Sequence, residues 1–325
     1  MNGAGRPPGD LRVWHLTTGE TGTRQQARGL ASALAPDAEE RVVRVNRVWA
    51  LGPAALVGLS PPSVTAVSGQ LQPPWPDVLV TCGRRSALVA MAIRRRNPRP
   101  MICVHIQPPT HPEAFDLVVA MPHDGLRGAN VLSVDTTLHA IRPEDLAAAA
   151  TRGDPRFAPL PRPWTGVLLG GSTYRKGFTH DDAQRLADQL DGLRREVGGS
   201  LLVTPSRRTP DAVTAALSAR YLGDPTVRIW DGEPPNPYLA ILALADRLVV
   251  TSDSVSMISE ALATTAPVAI FTLPMGRRHG RFIETLVDKK LVTILGEGIP
   301  SGPRPAVDAM PVAAAAVRRL LAHDL

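Results

Sequence analysis

The sequence predicts an α/β protein built from two doubly wound, Rossmann-like domains that face each other across a cleft. Short runs rich in Val, Ile and Leu alternate with helical patterns along most of the 325 residues, as in βαβ units around a buried parallel sheet. The length corresponds to two domains of roughly 150 residues each. Four prolines between residues 155 and 163 interrupt the alternation, because proline continues neither a helix nor a central strand.

The first half of the chain supplies five strands and three helices in alternating order. The strands are predicted at 11–16, 41–45, 77–81, 101–106 and 117–120, and the helices at 23–35, 53–59 and 84–96. Three arginines close the last helix, where cations suit the negative end of the helix dipole, and Asn97-Pro98 ends it.

The second half repeats the pattern. Strands are predicted at 165–169, 200–204, 227–229, 247–251, 267–271 and 291–294, and helices at 181–197, 210–221, 238–244, 255–263, 281–290 and 311–323. We therefore expect an N-terminal domain at 1–151, a stiff Pro-rich linker at 152–164 and a C-terminal domain at 165–325. The terminal helix is expected to pack back on the N-terminal domain.

Composition excludes several classes of protein. Apolar residues make up 44% and charged residues 20%, which is typical of a folded protein. The chain has no apolar run long enough to span a membrane and no secretory signal pattern. We expect a cytoplasmic protein, with peripheral association at the inner face of the membrane left open. Two cysteines exclude a disulfide scaffold and a cysteine-ligated zinc site.

The net charge of +6 favours an anionic partner. A nucleotide or an anionic membrane surface, where lipid-linked acceptors lie, would fit equally well. Nucleic acid is disfavoured, because only 4% of residues are aromatic and no motif of a nucleic-acid-binding module occurs.

Glycines and threonines fill the loop that is predicted to follow the first strand. A loop of this kind ahead of a helix can present N–H groups to an anion, so Thr21 and Gly22 are candidate substrate-binding residues. Glu20 lies in the same loop, and a carboxylate at the end of a strand suits a general base. A tight turn with a threonine cap is the alternative, because the loop lacks the dinucleotide-binding fingerprint and the Walker lysine.

Other strands of the first half are also followed by polar side chains. Arg84 and Arg85 open a helix, where positive charge is unfavourable unless an anion lies nearby. Gln107 and His123 follow two further strands, Gln107 as a candidate substrate contact and His123 as a second candidate base. Solvated arginines and a structural histidine are the alternatives.

The second half carries anion-binding signals after several strands. The strongest is segment 251–261, in which hydroxyls precede a helix start and so indicate a phosphate site. An ordinary N-capped helix is the alternative there. Segment 275–281 is predicted to be a mobile basic loop that closes over a diphosphate, with a solvated basic loop as the equal alternative. The candidate substrate-binding residues of this half are Gly171, Ser172, Ser206, Arg207, Ser252, Asp253, Ser254, Ser256, Glu260, Arg277 and Arg278.

Together these segments resemble the mitochondrial fission (elongated mitochondria) protein family. The matching segments are 19–22, 82–86, 122–124, 170–172, 204–209, 230–233, 236–238 and 251–257, and the resemblance extends from about residue 11 to 290. That family in turn resembles GT-B glycosyltransferases and, more distantly, UDP-N-acetylglucosamine 2-epimerase.

The resemblance implies that the two domains bind different substrates. The C-terminal domain would hold a nucleotide-diphosphate sugar, with Ser254 and Ser256 at the diphosphate and Glu260 at the ribose. Trp230 and the stretch up to Tyr238 would lie near the base. The N-terminal domain would hold the acceptor. Two features depart from the pattern: Glu20 replaces a histidine common in the first loop of inverting members, and Pro108 replaces an acidic residue.

The leading hypothesis is inverting, metal-independent and cofactor-independent glycosyl transfer to an unidentified acceptor, lipid-linked or part of the envelope. Glu20 or His123 would deprotonate the acceptor, and Arg207, Arg277 or Arg278 would stabilise the departing diphosphate together with the helix dipole at Ser254. The first alternative is a non-catalytic adaptor, because plant members of the family are implicated in recruiting a dynamin-like protein to mitochondria. The second is a nucleotide-sugar 2-epimerase, which would need several acid/base groups around the sugar.

Overall fold

A computed structural model describes residues 11–46, 57–171, 177–298 and 302–324. The chain divides into two compact units, the first made of residues 1–140 with 309–325 and the second of residues 141–308. No helix within the described ranges is long and apolar enough to cross a bilayer.

The first unit is a seven-stranded sheet with helices on both faces. Its strands are β1 (Val13–Thr17), β2 (Glu39–Val45), β3 (Val64–Ser68), β4 (Val78–Cys82), β5 (Ile102–Ile106), β6 (Leu117–Ala120) and β7 (Val131–Ser133). Its helices are α1 (Thr21–Leu34), α2 (Arg84–Arg96) and the C-terminal helix, Met310–Asp324. The strand order is β3-β2-β1-β4-β5-β6-β7, with only β3 antiparallel to its neighbour. The winding direction reverses between β1 and β4, the position where such sheets bind ligands.

The second unit is a parallel sheet of six strands. The strands are β8 (Trp164–Leu169), β9 (Ser200–Pro205), β10 (Val227–Ile229), β11 (Arg247–Thr251), β12 (Val268–Phe271) and β13 (Thr293–Ile294). The helices are α3 (Pro143–Arg152), α4 (His180–Val197), α5 (Asp211–Arg220), α6 (Tyr238–Leu244), α7 (Val255–Leu262) and α8 (Arg277–Asp288). The C-terminal helix of the first unit is α9. The order β10-β9-β8-β11-β12-β13 puts the reversal between β8 and β11. The predicted fold class, two parallel α/β domains, is confirmed.

The Pro-rich segment lies inside the second unit, whereas the sequence led us to expect a linker between domains at 152–164. Helix α3, which was not predicted, packs on α6. Because of this packing, the second unit begins at residue 141 and not after the Pro-rich segment. Phe157 and Leu160 are then buried within that unit, and Leu160 O accepts a hydrogen bond from Trp164 Nε1 at 3.1 Å. Helix α9 packs on α1 in the first unit.

Four further elements differ from the prediction. Strand β3 has three exposed residues among its five and β7 has only three residues, so neither produces a clear apolar alternation. Of the predicted helix at 53–59, residues 53–56 lie outside the described residues and 57–59 are not helical. Helix α8 begins at Arg277, because burial of Phe282 and Ile283 stabilises an amphipathic helix that Gly276 precedes. Arg277 and Arg278 therefore lie on a helix and not on a loop.

Gly29 provides a test of the packing around α1. A Cβ atom at Gly29 would lie 2.1 Å from the backbone oxygen of His139, so no side chain fits there. We expect Gly29→Ala to lower the free energy of unfolding by about 1–3 kcal/mol through overpacking. The matched control is Gly192→Ala within α4, where the nearest atom would be 3.8 Å away. The control should raise stability by about 0.5–1 kcal/mol, because alanine favours the helix. Urea unfolding measures both, and equal changes would contradict the packing argument.

Burial of His105 predicts how the stability of the protein changes with pH. Its ring is fully buried, its Nδ1 lies 2.6 Å from Thr81 Oγ1, and burial lowers its pKa to about 3. The unfolded chain, with a histidine pKa near 6.5, takes up the proton first, so stability falls as the pH drops from about 6.5 towards 3. At pH 5 the expected loss is about 2 kcal/mol. Urea unfolding of His105→Asn should show a flatter pH dependence, with a residual slope from His15, whose pKa burial also lowers. An unchanged slope would contradict the assignment.

Candidate functional site

The candidate residues of the second unit lie at the carboxyl edge of its sheet. Since all its strands are parallel, the segments that follow them leave the sheet at the same edge. Gly171 follows β8, Ser206 and Arg207 follow β9, Trp230 follows β10, and Ser252 to Ser254 follow β11. Ser172 lies outside the described residues.

Hydrogen bonds hold the segments after β8, β9 and β11 together. Thr251 Oγ1 accepts from the Gly170 N–H at 2.8 Å, and the Thr209 hydroxyl donates to Gly170 O at 2.6 Å. A Cβ atom on Gly171 would lie 2.0 Å from the backbone oxygen of Arg208. Gly171 is therefore required by the close approach of the Arg208 backbone, and the edge is a packed surface.

Helix α7 begins without a side-chain cap. Ser254 occupies the N-cap position and is buried, but its side chain makes no capping hydrogen bond, so the alternative of an ordinary N-capped helix does not hold. Ser252 has a structural role, because its Oγ accepts from the Leu273 N–H at 2.9 Å. The first N–H groups of α7, with Ser254 and Ser256 beside them, form a suitable anion site.

Glu260 lies on α7 and is held by a buried phenol. The Tyr238 hydroxyl at the start of α6 donates a hydrogen bond to Glu260 Oε2. Burial and the neighbouring Glu260 carboxylate raise the pKa of Tyr238 well above its usual value. The phenol therefore remains a donor at neutral pH, and it fixes the orientation of the carboxylate.

Helix α8 places several cations at its own N-terminus. Arg277, Arg278 and Arg281 are exposed, and the first turn contains no acidic residue. His279 is partly buried, and its pKa lies below the usual value. Burial and the neighbouring Arg278 lower this pKa more than Asp253 raises it. Positive charge here opposes the helix dipole, and a bound anion would relieve that repulsion.

Trp230 lines a cavity of about 890 Å³ within the second unit. Its indole Nε1 donates to Glu233 O at 2.7 Å, which fixes the ring beside Asp231 and Asn236. Neither Ser254 nor Glu260 lines this cavity. The structure thus associates Trp230 with a separate recess near the end of β10.

In the first unit, Glu20 lies where the winding direction reverses. It is the N-cap residue of α1, and its Oε2 accepts a hydrogen bond from the Thr18 hydroxyl at 2.5 Å. Both residues line a cleft of about 540 Å³ together with Arg85 and Arg44. The sequence did not single out Arg44, which lies within β2 and reaches the cleft because β2 pairs with β1.

The other candidates of the first unit are not brought into this cleft. Thr21, Gly22 and Arg84 are exposed in the first turns of α1 and α2. Gln107 has a left-handed backbone with φ of 77° and lines a separate small pocket. The His123 side chain is only 4% exposed, and its Nε2 lies 3.6 Å from Asp124 Oδ1. This burial favours Glu20 over His123 as the candidate base.

Among the described residues, no group of three or more His, Cys, Asp or Glu side chains could hold a metal ion.

Solved structures of two enzyme types share the fold. MurG from Acinetobacter baumannii aligns over 96% of this chain and 90% of its own, with a TM-score of 0.53 and 12% identity. UDP-GlcNAc 2-epimerase from Methanocaldococcus jannaschii, solved with UDP-GlcNAc and UDP, covers 97% of this chain and 100% of its own, with a TM-score of 0.50 and 11% identity. These likenesses establish a GT-B-like fold.

Comparison of sequences identifies the family. The Arabidopsis thaliana "Mitochondrial fission protein ELM1" is 32% identical over 219 residues, which span 60% of this chain but only 51% of the plant protein. The "Uncharacterized protein RP120" of Rickettsia prowazekii is 25% identical over 328 residues, covering 89% of this chain and 92% of its own. A family model described as "Mitochondrial fission ELM1" matches residues 21–321. The chain therefore belongs to the mitochondrial fission ELM1 family and has a GT-B-like fold.

Proposed function

We propose that this protein is a metal-independent glycosyltransferase that uses a nucleotide-diphosphate sugar. The observation that carries the proposal is the uncapped start of α7, with the oriented Glu260 carboxylate on the same helix. N–H groups at a helix start suit a diphosphate, and a fixed carboxylate suits the hydroxyls of a ribose. The Methanocaldococcus jannaschii epimerase, which shares the fold and was solved with UDP-GlcNAc and UDP, supports this choice of ligand.

In the proposed reaction, the second unit stabilises the leaving group and the first unit activates the acceptor. The α7 dipole, together with Arg277 and Arg278 on α8, would stabilise the negative charge that develops on the diphosphate. Glu20 would remove the proton from the acceptor hydroxyl, with Thr18 holding one of its carboxylate oxygens. The acceptor class we propose is a lipid-linked or envelope saccharide at an anionic membrane surface, because the chain carries a net charge of +6.

A nucleotide screen tests the proposal. Thermal unfolding and calorimetry would be measured with UDP, GDP, ADP, CMP and dTDP, with and without magnesium. A ligand at one hundred times its Kd should add about 2.7 kcal/mol of stability. We expect one diphosphate to stand out without magnesium. Absence of a response to all five would contradict the proposal.

The second candidate function is a non-catalytic adaptor. The match to a family named for mitochondrial fission favours it, as does the 32% identity to the plant protein. No response to nucleotides, combined with specific binding of a protein partner, would support the adaptor. An epimerase would differ from both, because it would invert the sugar of the bound donor without any acceptor.

A further inference from the structure

Asp253 is an isolated carboxylate at the carboxyl edge of the second sheet. Neither of its side-chain oxygens is accessible to solvent, and neither has a hydrogen-bond partner among the described residues. Both oxygens lie against Gly170, where a Cβ atom would come within 2.6 Å of each. The carboxylate is therefore enclosed between the segments after β8 and β11, at the point where the winding direction reverses.

An enclosed carboxylate without a partner is costly, so its presence calls for an explanation. Asp253 precedes the N-cap residue of α7, where the proposed diphosphate would lie, and its negative charge would repel that ligand. Among the described residues, no group of three or more acidic, His or Cys side chains surrounds it to form a metal site built from the protein alone. A neutral hydrogen-bond donor next to the diphosphate explains it, and the sugar of a nucleotide sugar supplies hydroxyl groups at that place.

We infer that Asp253 accepts a hydrogen bond from a hydroxyl of the donor's sugar and thereby selects the nucleotide sugar over the free nucleotide. This inference rests on the proposed function. His279 lies close enough to Asp253 for this carboxylate to raise its pKa, against the lowering by burial and by Arg278. Gly170 is part of the proposed sugar-binding position, because any larger residue would displace the Asp253 carboxylate.

The test compares Asp253→Asn with the unaltered full chain by calorimetry. The probes are UDP with UDP-N-acetylglucosamine, GDP with GDP-mannose, and dTDP with dTDP-glucose. Removal of the charge should strengthen binding of the free diphosphate about twofold to tenfold, since it removes a repulsion. It should lower the preference for the matching nucleotide sugar about threefold to tenfold, since the amide oxygen accepts a weaker hydrogen bond than the carboxylate. A gain in affinity for the free diphosphate is not expected from damage to the fold.

Two further variants keep the outcome decisive. Gly170→Ala, whose backbone conformation tolerates alanine, should displace the carboxylate and lose the preference for the sugar without losing charge. Glu284→Gln removes an exposed negative charge on α8 and should leave the preference unchanged. If the unaltered chain binds no nucleotide, the proposed function fails. If it binds nucleotide sugars but Asp253→Asn and Gly170→Ala keep its preference, the inference about Asp253 is overturned.

Discussion

Replacement of Glu20 with glutamine is expected to abolish sugar transfer while leaving donor binding intact. Glutamine has nearly the same shape and can still accept a hydrogen bond from Thr18. It cannot take a proton from the acceptor hydroxyl, so the rate should fall about 10²–10⁴-fold. The donor should bind as before, because the proposed diphosphate site lies in the second unit. Single-turnover kinetics together with calorimetry would separate the two effects.

The control for Glu20 is another carboxylate of the first unit. Glu113 is exposed and does not line the cleft, so Glu113→Gln should leave transfer unchanged. Arg85→Ala should raise KM for an anionic acceptor while leaving kcat nearly unchanged, since Arg85 lines the cleft beside Glu20. Full activity of Glu20→Gln would show that the base lies elsewhere, and His123→Gln would then be the next variant.

Replacement of Glu260 with alanine is expected to weaken nucleotide binding by about 1.5–3 kcal/mol, or roughly tenfold to hundredfold. The reason is the loss of a charged hydrogen-bond acceptor for the ribose. The same change removes the acceptor for the buried Tyr238 hydroxyl. An unpaired buried hydroxyl should also lower stability, by about 1–3 kcal/mol.

The double variant Glu260→Ala with Tyr238→Phe separates these two effects. It removes the orphaned hydroxyl, so stability should recover while nucleotide affinity stays low. A 2′,3′-dideoxynucleoside diphosphate lacks the ribose hydroxyls and should bind equally to the unaltered chain and to Glu260→Ala. Calorimetry and urea unfolding would be measured on the unaltered chain, the two single variants and the double variant, which together form a double-mutant cycle. If Glu260→Ala binds the ribonucleotide normally, the ribose role is wrong.

The sequence by itself determined the fold class and most of the regular elements. Strands β6, β10 and β11 and helices α2 and α6 occur with the predicted bounds. Their buried faces consist of contiguous or periodic apolar residues, and that periodicity is a local property of the chain. The location of the polar residues that follow the strands could also be predicted, because parallel strands bring their carboxyl ends to one edge of the sheet. The family resemblance is confirmed by the match over residues 21–321.

Only the tertiary structure decided the domain boundary and the contacts within the sites. Proline marks where regular structure stops, but burial of Phe157 depends on the packing of the second unit, which local sequence does not encode. The hydrogen bond of Tyr238 with Glu260 joins segments that are distant along the chain, and so does the cleft that Arg44 and Glu20 both line. The isolation of Asp253 likewise depends on how closely Gly170 approaches it. Such contacts arise from the three-dimensional packing of whole elements, whereas sequence periodicity reports only which face of an element is buried.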